Sequence, residues 1–276
     1  MQLTKYEKEM LEGAHGEAKK FAMEVLIRLG KIYGADRMVK IVSAHIMAHY
    51  GSLHDAGIEL VEKFVNMGGK FCVPVTEDPA SVSFRYWKEI GIDEEYYNKQ
   101  KRLASAIKSL GAQPVWTCTP YFVGNLPRFG QCVAWAESSA VSFANSVLGA
   151  RTNRSPAGLN YCGALTGRMP NIGFYKEENR IGEILFEIEI EENNFSNLDF
   201  NTIGYIVGKK AGNMVPVIKG IPLDVTIDNL KYLGATAASS GCVALYHVLD
   251  ITPEAVDRDP FKGKKPKEIF KINRDD

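Results

Sequence analysis

Between Trp116 and Arg154 a thiol at Cys118, the amides of Asn125 and Asn145, a Glu137-Ser138-Ser139 triplet and an Arg151-Thr152-Asn153-Arg154 cluster fall within fewer than forty residues, flanked by apolar runs. A hydrophobic core needs only aliphatic side chains, so thiol, carboxylate, hydroxyl, amide and guanidinium groups gathered in one short stretch point to a site, and an enzyme is the first reading. Each group has a plainer reading beside the chemical one. Cys118 is either a reactive or metal-binding thiol or one more small buried hydrophobe. Glu137 is either a proton carrier or a helix-dipole carboxylate. Arg151 and Arg154 are either forks for a carboxylate or phosphate or part of a solvated face, with Gly149-Ala150 allowing a tight turn before them. His45 and His49 follow an apolar run and carry imidazoles that titrate near neutral pH.

The elements that must position these groups read as an alternation of strand and helix. Thr4-Lys5-Tyr6-Glu7 has capping-box spacing, and Phe21, Val25, Leu26 and Leu29 recur with helical period. Met38 to Ala44 reads as a strand, with a helix beginning at Ser52-Leu53-His54-Asp55 and running to Gly68-Gly69. Phe71 to Val75 reads as strand, Asp93 to Leu110 as helix closed by Gly111, and Pro114 to Cys118 as strand. A helix is expected from Trp135 on, with Glu137, Ser138 and Ser139 in its first turn. Gly182 to Ile190, Val215 to Ile218 and Val243 to Leu249 read as strands, Thr226 to Ala238 as helix, and Phe200 to Val207 as either. From Thr252-Pro253 a polar tail follows. The alternation predicts an α/β fold, layers of mostly parallel sheet flanked by helices, and in such sheets ligands gather at the carboxyl ends of strands. Cys118 is expected at one such end. The expected division is a lobe over 1–180 carrying Cys118 and the polar motifs and a second α/β lobe over 181–276.

The composition, 45% hydrophobic and 24% charged over 276 residues, is that of a globular protein. With 33 basic and 33 acidic residues there is no net charge to draw the chain onto nucleic acid. No apolar run reaches the ~20 residues of a membrane helix, and MQLTKYEKEM lacks a signal-peptide pattern, so no membrane association and a cytoplasmic location are expected. Five widely spaced cysteines argue against a disulfide framework; Cys72, Cys132, Cys162 and Cys242 sit in apolar patterns and are expected in the core.

Three long motifs, TCTPYFVGNLPRFG, WAESSAVSFANSVLGARTNR and YLGATAASSGCVALYHVLDITPEA, occur in the order in which the large subunit of aconitase X carries them, and the resemblance runs through nearly the whole chain. It implies an aconitase-like hydro-lyase that uses an iron-sulfur cluster to remove water from a hydroxy acid, with a small swivelling subunit completing the site. Carried over by residue, it implies Cys118 as cluster ligand, His45 in a substrate-side loop, and Asn125, Glu137, Ser138, Asn145, Arg151, Thr152, Asn153 and Arg154 facing cluster and substrate. The base is implied to be a serine of the small partner. Family members hold the cluster with three cysteines, the other two further along the chain, and no cysteine follows Cys242. The 276 residues alone are therefore expected to bind no complete cluster and to be inactive. The family's subgroups act on phosphomevalonate or cis-3-hydroxyproline; GNLPRFG is similar to the former group, whereas Ser155 to Leu159 and Val75 to Pro79 depart from the family pattern. A phosphorylated or carboxylated hydroxy acid is the expected substrate. Two rivals stand beside this reading: an aconitase-like subunit that has lost its metal and its catalysis, and a hydrolase using Cys118 with His45 or His49.

Overall fold

The structure, a computed structural model, describes residues 1–191 and 195–276. The first elements are α1 (Lys5–Leu11), α2 (Glu17–Ile32), β1 (Met38–Ile46), α3 (Tyr50–Asn66), β2 (Val75–Glu77), α4 (Glu94–Leu110), β3 (Cys132–Trp135) and α5 (Ser138–Ser146). They are followed by α6 (Ala157–Thr166), β4 (Arg168–Pro170), β5 (Ile184–Ile188), α7 (Asn197–Ala211), β6 (Pro216–Lys219), α8 (Ile227–Gly241), β7 (His247–Val248) and β8 (Ile269–Ile272). They sort into two compact units that share the chain in pieces. One holds Met1–Leu126, Cys132–Glu137 and Ser155–Ile172; the other holds Pro127–Gln131, Ser138–Arg154 and Gly173–Asp276.

In the first unit the sheet runs β2-β1-β3, all parallel, and β4 pairs antiparallel with the early part of β1. The central strand places His45 beside Thr76 of β2 on one side and Trp135 of β3 on the other. A parallel sheet needs helical crossovers that cover its faces, and fully buried Met23, Leu26, Ile58, Phe64 and Leu103 from α2, α3 and α4 supply that cover. Local signals set the helix ends. The Thr4 hydroxyl accepts the Glu7 N–H while the Glu7 carboxylate accepts the Thr4 N–H, as the spacing predicts. Asp93 caps α4, and Gly111, at φ 103°, closes it.

The second unit has a parallel sheet of order β7-β6-β5-β8. Its core gathers Ile184, Phe186 and Ile188 of β5, Phe200, Ile203 and Val207 of α7, and Leu230, Leu233 and Ala237 of α8. Helices α7 and α8 meet backbone to backbone: a Cβ on Gly241 would lie 1.6 Å from the Gly208 carbonyl oxygen, so only glycine fits there.

Several expectations from sequence are corrected. Phe71 to Pro74 is not strand, because the Phe71 and Cys72 N–H groups donate to Leu110 and Ala164 carbonyls, and β2 is Val75–Glu77 instead. Pro114 to Cys118 is not a strand either. Gln113 bridges Thr76, after which Pro114 has no N–H to give and Trp116 turns to φ 48°, so Cys118 stands on a bend beside β2 rather than at the tip of its own strand. Trp135 ends β3 and the following helix starts at Ser138, leaving Glu137 outside it at φ 71°. His45 lies within β1, not after it. The strand expected over Val243 to Leu249 shrinks to His247–Val248, and Phe200 to Val207 is helix. The polar tail contributes a strand, β8, that pairs with β5. Among the cysteines, all free, Cys162 is buried and Cys132 half-buried, but Cys72 and Cys242 are exposed rather than in the core. Among the described residues, no helix is long and apolar enough to cross a membrane.

Candidate active site

The carboxyl ends of β1, β2 and β3 lie side by side in the first unit and carry its densest polar cluster. Strand β2 runs out through Thr76, Glu77 and Asp78, all buried, and Asp78 N–H donates to the Ile46 carbonyl at the end of β1. Asp78 Oδ1 accepts the Ala48 N–H, which pins the carboxyl against the turn leading into α3. His45 is completely buried, with Nδ1 2.9 Å from Thr76 Oγ1. Asn125 donates through Nδ2 to the same hydroxyl at 2.9 Å and to the Ala44 carbonyl at 3.0 Å, clamping β1 to β2 from above. Glu137 follows β3 in the left-handed region, a conformation that only surrounding structure can hold for a residue with a side chain.

Burial sets the charge states here. Glu77 is 1% exposed and, among the described residues, neither carboxyl oxygen meets a hydrogen-bond partner; desolvation first, then Asp78, pushes it up to about 7. Asp78 is likewise raised to about 7, by burial and by Glu137, against the pull of the Ala48 N–H. Desolvation holds His45 down to about 4, so its ring is neutral, and its Nε2 makes no hydrogen bond among the described residues. The Cys118 thiol is pushed up to about 11 by burial, then by Glu137 and Asp78. That is the wrong direction for a cysteine nucleophile, which needs its thiolate favoured. A thiol among carboxyls gains its anion only when a cation balances the charge, which is the circumstance of a metal ligand.

Glu77 and Asp78 were not singled out as candidates from sequence. The available signal was an acidic pair directly after a Val-Thr strand, and a three-residue strand is too short to announce itself by periodicity.

The remaining candidates lie in the second unit. Ser138 begins α5, half-buried. Asn145 is buried, and its amide is saturated: Nδ2 donates to the Thr152 and Ala244 carbonyls, and Oδ1 accepts from Thr152 N–H and Arg180. Nothing is left for a ligand. Thr152 is buried beside it. The Arg151 guanidinium is tied to Glu177 at 2.7 Å, to Glu254 at 3.2 Å and to the Gly149 carbonyl. Asn153 Oδ1 accepts the Phe174 N–H, and exposed Arg154 donates to the Cys242 carbonyl. Gly149, at φ 60°, makes the tight turn expected there, with the Phe129 ring packed where a Cβ would sit. The sequence candidates thus divide into His45, Cys118, Asn125 and Glu137 in one unit and Ser138, Asn145 and the Arg151 to Arg154 cluster in the other.

Comparison with known proteins gives one consistent result. A family model described as aconitase X first domain matches residues 1–178, and one described as aconitase X second domain matches residues 182–276. A phosphomevalonate dehydratase large subunit of Methanocaldococcus jannaschii is 42% identical over 269 residues, covering 96% of this chain and 67% of that protein. A cis-3-hydroxy-L-proline dehydratase of Pseudomonas aeruginosa is 36% identical, covering 99% of this chain and 47% of that protein. The crystal structure of Thermococcus kodakaraensis aconitase X in its holo-form superposes with a TM-score of 0.88 at 39% identity, over 100% of this chain and 67% of that one. The chain thus spans about two thirds of the length of the large subunits it matches and about half that of the hydroxyproline dehydratase.

Proposed function

Since this chain belongs to the aconitase X family, from its first domain through its second, we propose that it acts in a hydro-lyase, as the large subunit of an enzyme that removes water from a phosphorylated hydroxy acid of the phosphomevalonate kind. The observation that carries the reading is the convergence of Cys118, Asp78 and Glu137 beside the carboxyl ends of three parallel strands. Relatives at 42% identity named phosphomevalonate dehydratase support this substrate over hydroxyproline, for which the named relatives stand at 36% and 34%. Their designation as large subunits supports a small partner, which would supply the rest of the site.

Dehydration needs a base for the proton beside the acid group and a donor that turns the departing hydroxyl into water. Asp78 and Glu77 are suited to the second task because burial keeps them protonated up to neutral pH. Neutral His45, held through Thr76 and Asn125, orients the end of β1 without adding a charge that would compete with the acid. Glu137, directly after β3, is the position from which proton transfer would be completed.

The donor set is compatible with an iron-sulfur cluster at one corner, with Cys118 as the ligand this chain provides. Such a cluster, when bound, supplies a Lewis acid for the leaving oxygen. The resemblance implies that the cluster's further ligands come from outside these residues, so the 276 residues by themselves are expected to form no complete cluster.

The test is turnover by the full-length protein together with its small partner, reconstituted anaerobically with iron and sulfide. Loss of phosphomevalonate and appearance of the unsaturated phosphorylated acid by proton and phosphorus NMR is the expected result. Dehydration of cis-3-hydroxyproline alone would reassign the substrate, and a cluster formed stoichiometrically on the 276 residues alone would overturn the ligand assignment.

A further inference from the structure

In the second unit a cavity of about 500 Å³ opens against Arg151, Arg180 and Glu254, and the proposed dehydration uses none of these groups. Its floor is a paired system. Arg180, 3% exposed, forks onto Glu254 and donates to the Asn145 and Phe174 carbonyls, and Arg151 reaches the same Glu254 carboxylate from the other side. Its mouth is different. Arg258 and Lys262 line it, exposed, and among the described residues no ion pair ties either one to a carboxylate. The Phe129 ring lines the same cavity, its centroid 5.3 Å from the Arg151 guanidinium carbon and 5.9 Å from that of Arg258, so both cations lie against one ring.

The charges of the lining decide what this space accepts. Four cations face it: Arg151, Arg180, Arg258 and Lys262. Against them stand Glu254 and Asp259, plus Glu177, whose side chain is 62% exposed on a single short turn. The Asp259 carboxylate is already spent on the Phe261 and Gly263 N–H groups. Of the two carboxylates on Arg151, Glu177 is the exposed one and Glu254 the covered one, so Glu177 is the partner that an incoming anion would replace. With Glu177 turned out, the lining holds two positive charges in excess, and the Arg151 edge that had met Glu177 is open to a new partner while Nη1 stays on the Gly149 carbonyl. Two guanidinium forks and an ammonium around a site with a charge excess of two match a tetrahedral oxyanion with two negative charges better than a single carboxylate.

We propose that this cavity is a phosphoryl-binding site, in which Arg258 and Lys262 capture a phosphate or phosphomonoester dianion that displaces Glu177 from Arg151. The site stands independently of the dehydratase reading, since it requires neither the cluster nor turnover.

Calorimetric titration of the purified chain with inorganic phosphate, with acetate as the carboxylate control, tests the proposal. Phosphate is expected to bind and acetate to bind at least about tenfold more weakly. Arg258→Ala and Lys262→Ala, both at exposed positions where folding is not at risk, should each weaken phosphate about tenfold, and Glu177→Gln should tighten it several-fold by removing the competing carboxylate. A parallel titration with phosphomevalonate separates the sources: affinities that fall together identify the phosphoryl group of a substrate, whereas loss for phosphate alone identifies the free ion, and either outcome supports the site. Phosphate that binds no tighter than acetate, or equally well to the Arg258→Ala, Lys262→Ala double variant, would overturn it.

Discussion

At the carboxyl edge of the first unit, Glu77 and His45 Nε2 keep buried polar atoms with no hydrogen-bond partner among the described residues, whereas in the second unit the buried Arg180 and Asn145 have every reach of their side chains answered by a carboxylate, a carbonyl or an amide. Both clusters are polar and both are deep. The difference is in what folding alone accomplishes. A satisfied buried network holds loops in place before any ligand arrives. A carboxyl and an imidazole left unanswered in the interior cost stability, and a protein keeps such groups where they serve chemistry.

The largest expected effect in this comparison falls on the satisfied side. Arg180→Ala would leave Glu254 buried with one cation fewer and is expected to cost on the order of 3–5 kcal/mol in urea unfolding. A loss below 1 kcal/mol would show that the network is not what secures the loop between β4 and β5.

On the unsatisfied side the sign reverses. Glu77 and Asp78 have folded-state values near 7, above those of an unfolded chain, so the stability they leave intact is fully present below about pH 4 and is lost as pH rises toward 7. Glu77→Leu should therefore stabilise the protein at pH 8, by up to about 3 kcal/mol, and abolish or sharply lower turnover by the assembled enzyme. Destabilisation at pH 8 would mean that the carboxyl is answered after all. His45 shows the opposite dependence. Its folded value near 4 lies below the unfolded 6.5, so its contribution is present above pH 6.5 and is lost as pH falls toward 4. A His45→Gln variant should be relieved of that loss, again on the order of 3 kcal/mol at pH 4, which thermal unfolding across pH 4 to 7 would record as a steeper decline with rising pH than in the parent.

The smallest effect on folding is expected at Cys118. Half-buried on a bend, it should tolerate Cys118→Ser within about 1 kcal/mol, while iron bound by the reconstituted, assembled enzyme falls. Unchanged iron content would remove Cys118 from the ligand set.

What the sequence made legible were features with local causes. The Thr4 and Glu7 pair, the Asp93 cap and Gly111 stop of α4, and the Met38 run of β1 are each written in neighbouring residues. The parallel α/β class followed from their alternation. The site was half legible: Cys118, Asn125 and Glu137 stood out by type, but the acids that set their electrostatics did not, because β2 is three residues long and becomes buried only through its pairing with β1. The strand assigned to Pro114 to Cys118 failed for the same reason in reverse, since its apolar look was overruled by the left-handed turn at Trp116. Asn145 and Arg151 looked like ligand-binding groups, and only the positions of Arg180 and Glu254, far along the chain, show how much of their capacity is spent internally.

The pairing of β8 with β5 reaches across more than eighty residues of chain, and the units take turns along the polypeptide. On the ribosome, the outer strand of the second sheet is therefore among the last parts of this stretch to emerge, and β5 must wait with one edge bare. Because the units interleave along the chain, a protease nick near residue 180 would not release two separately folding halves.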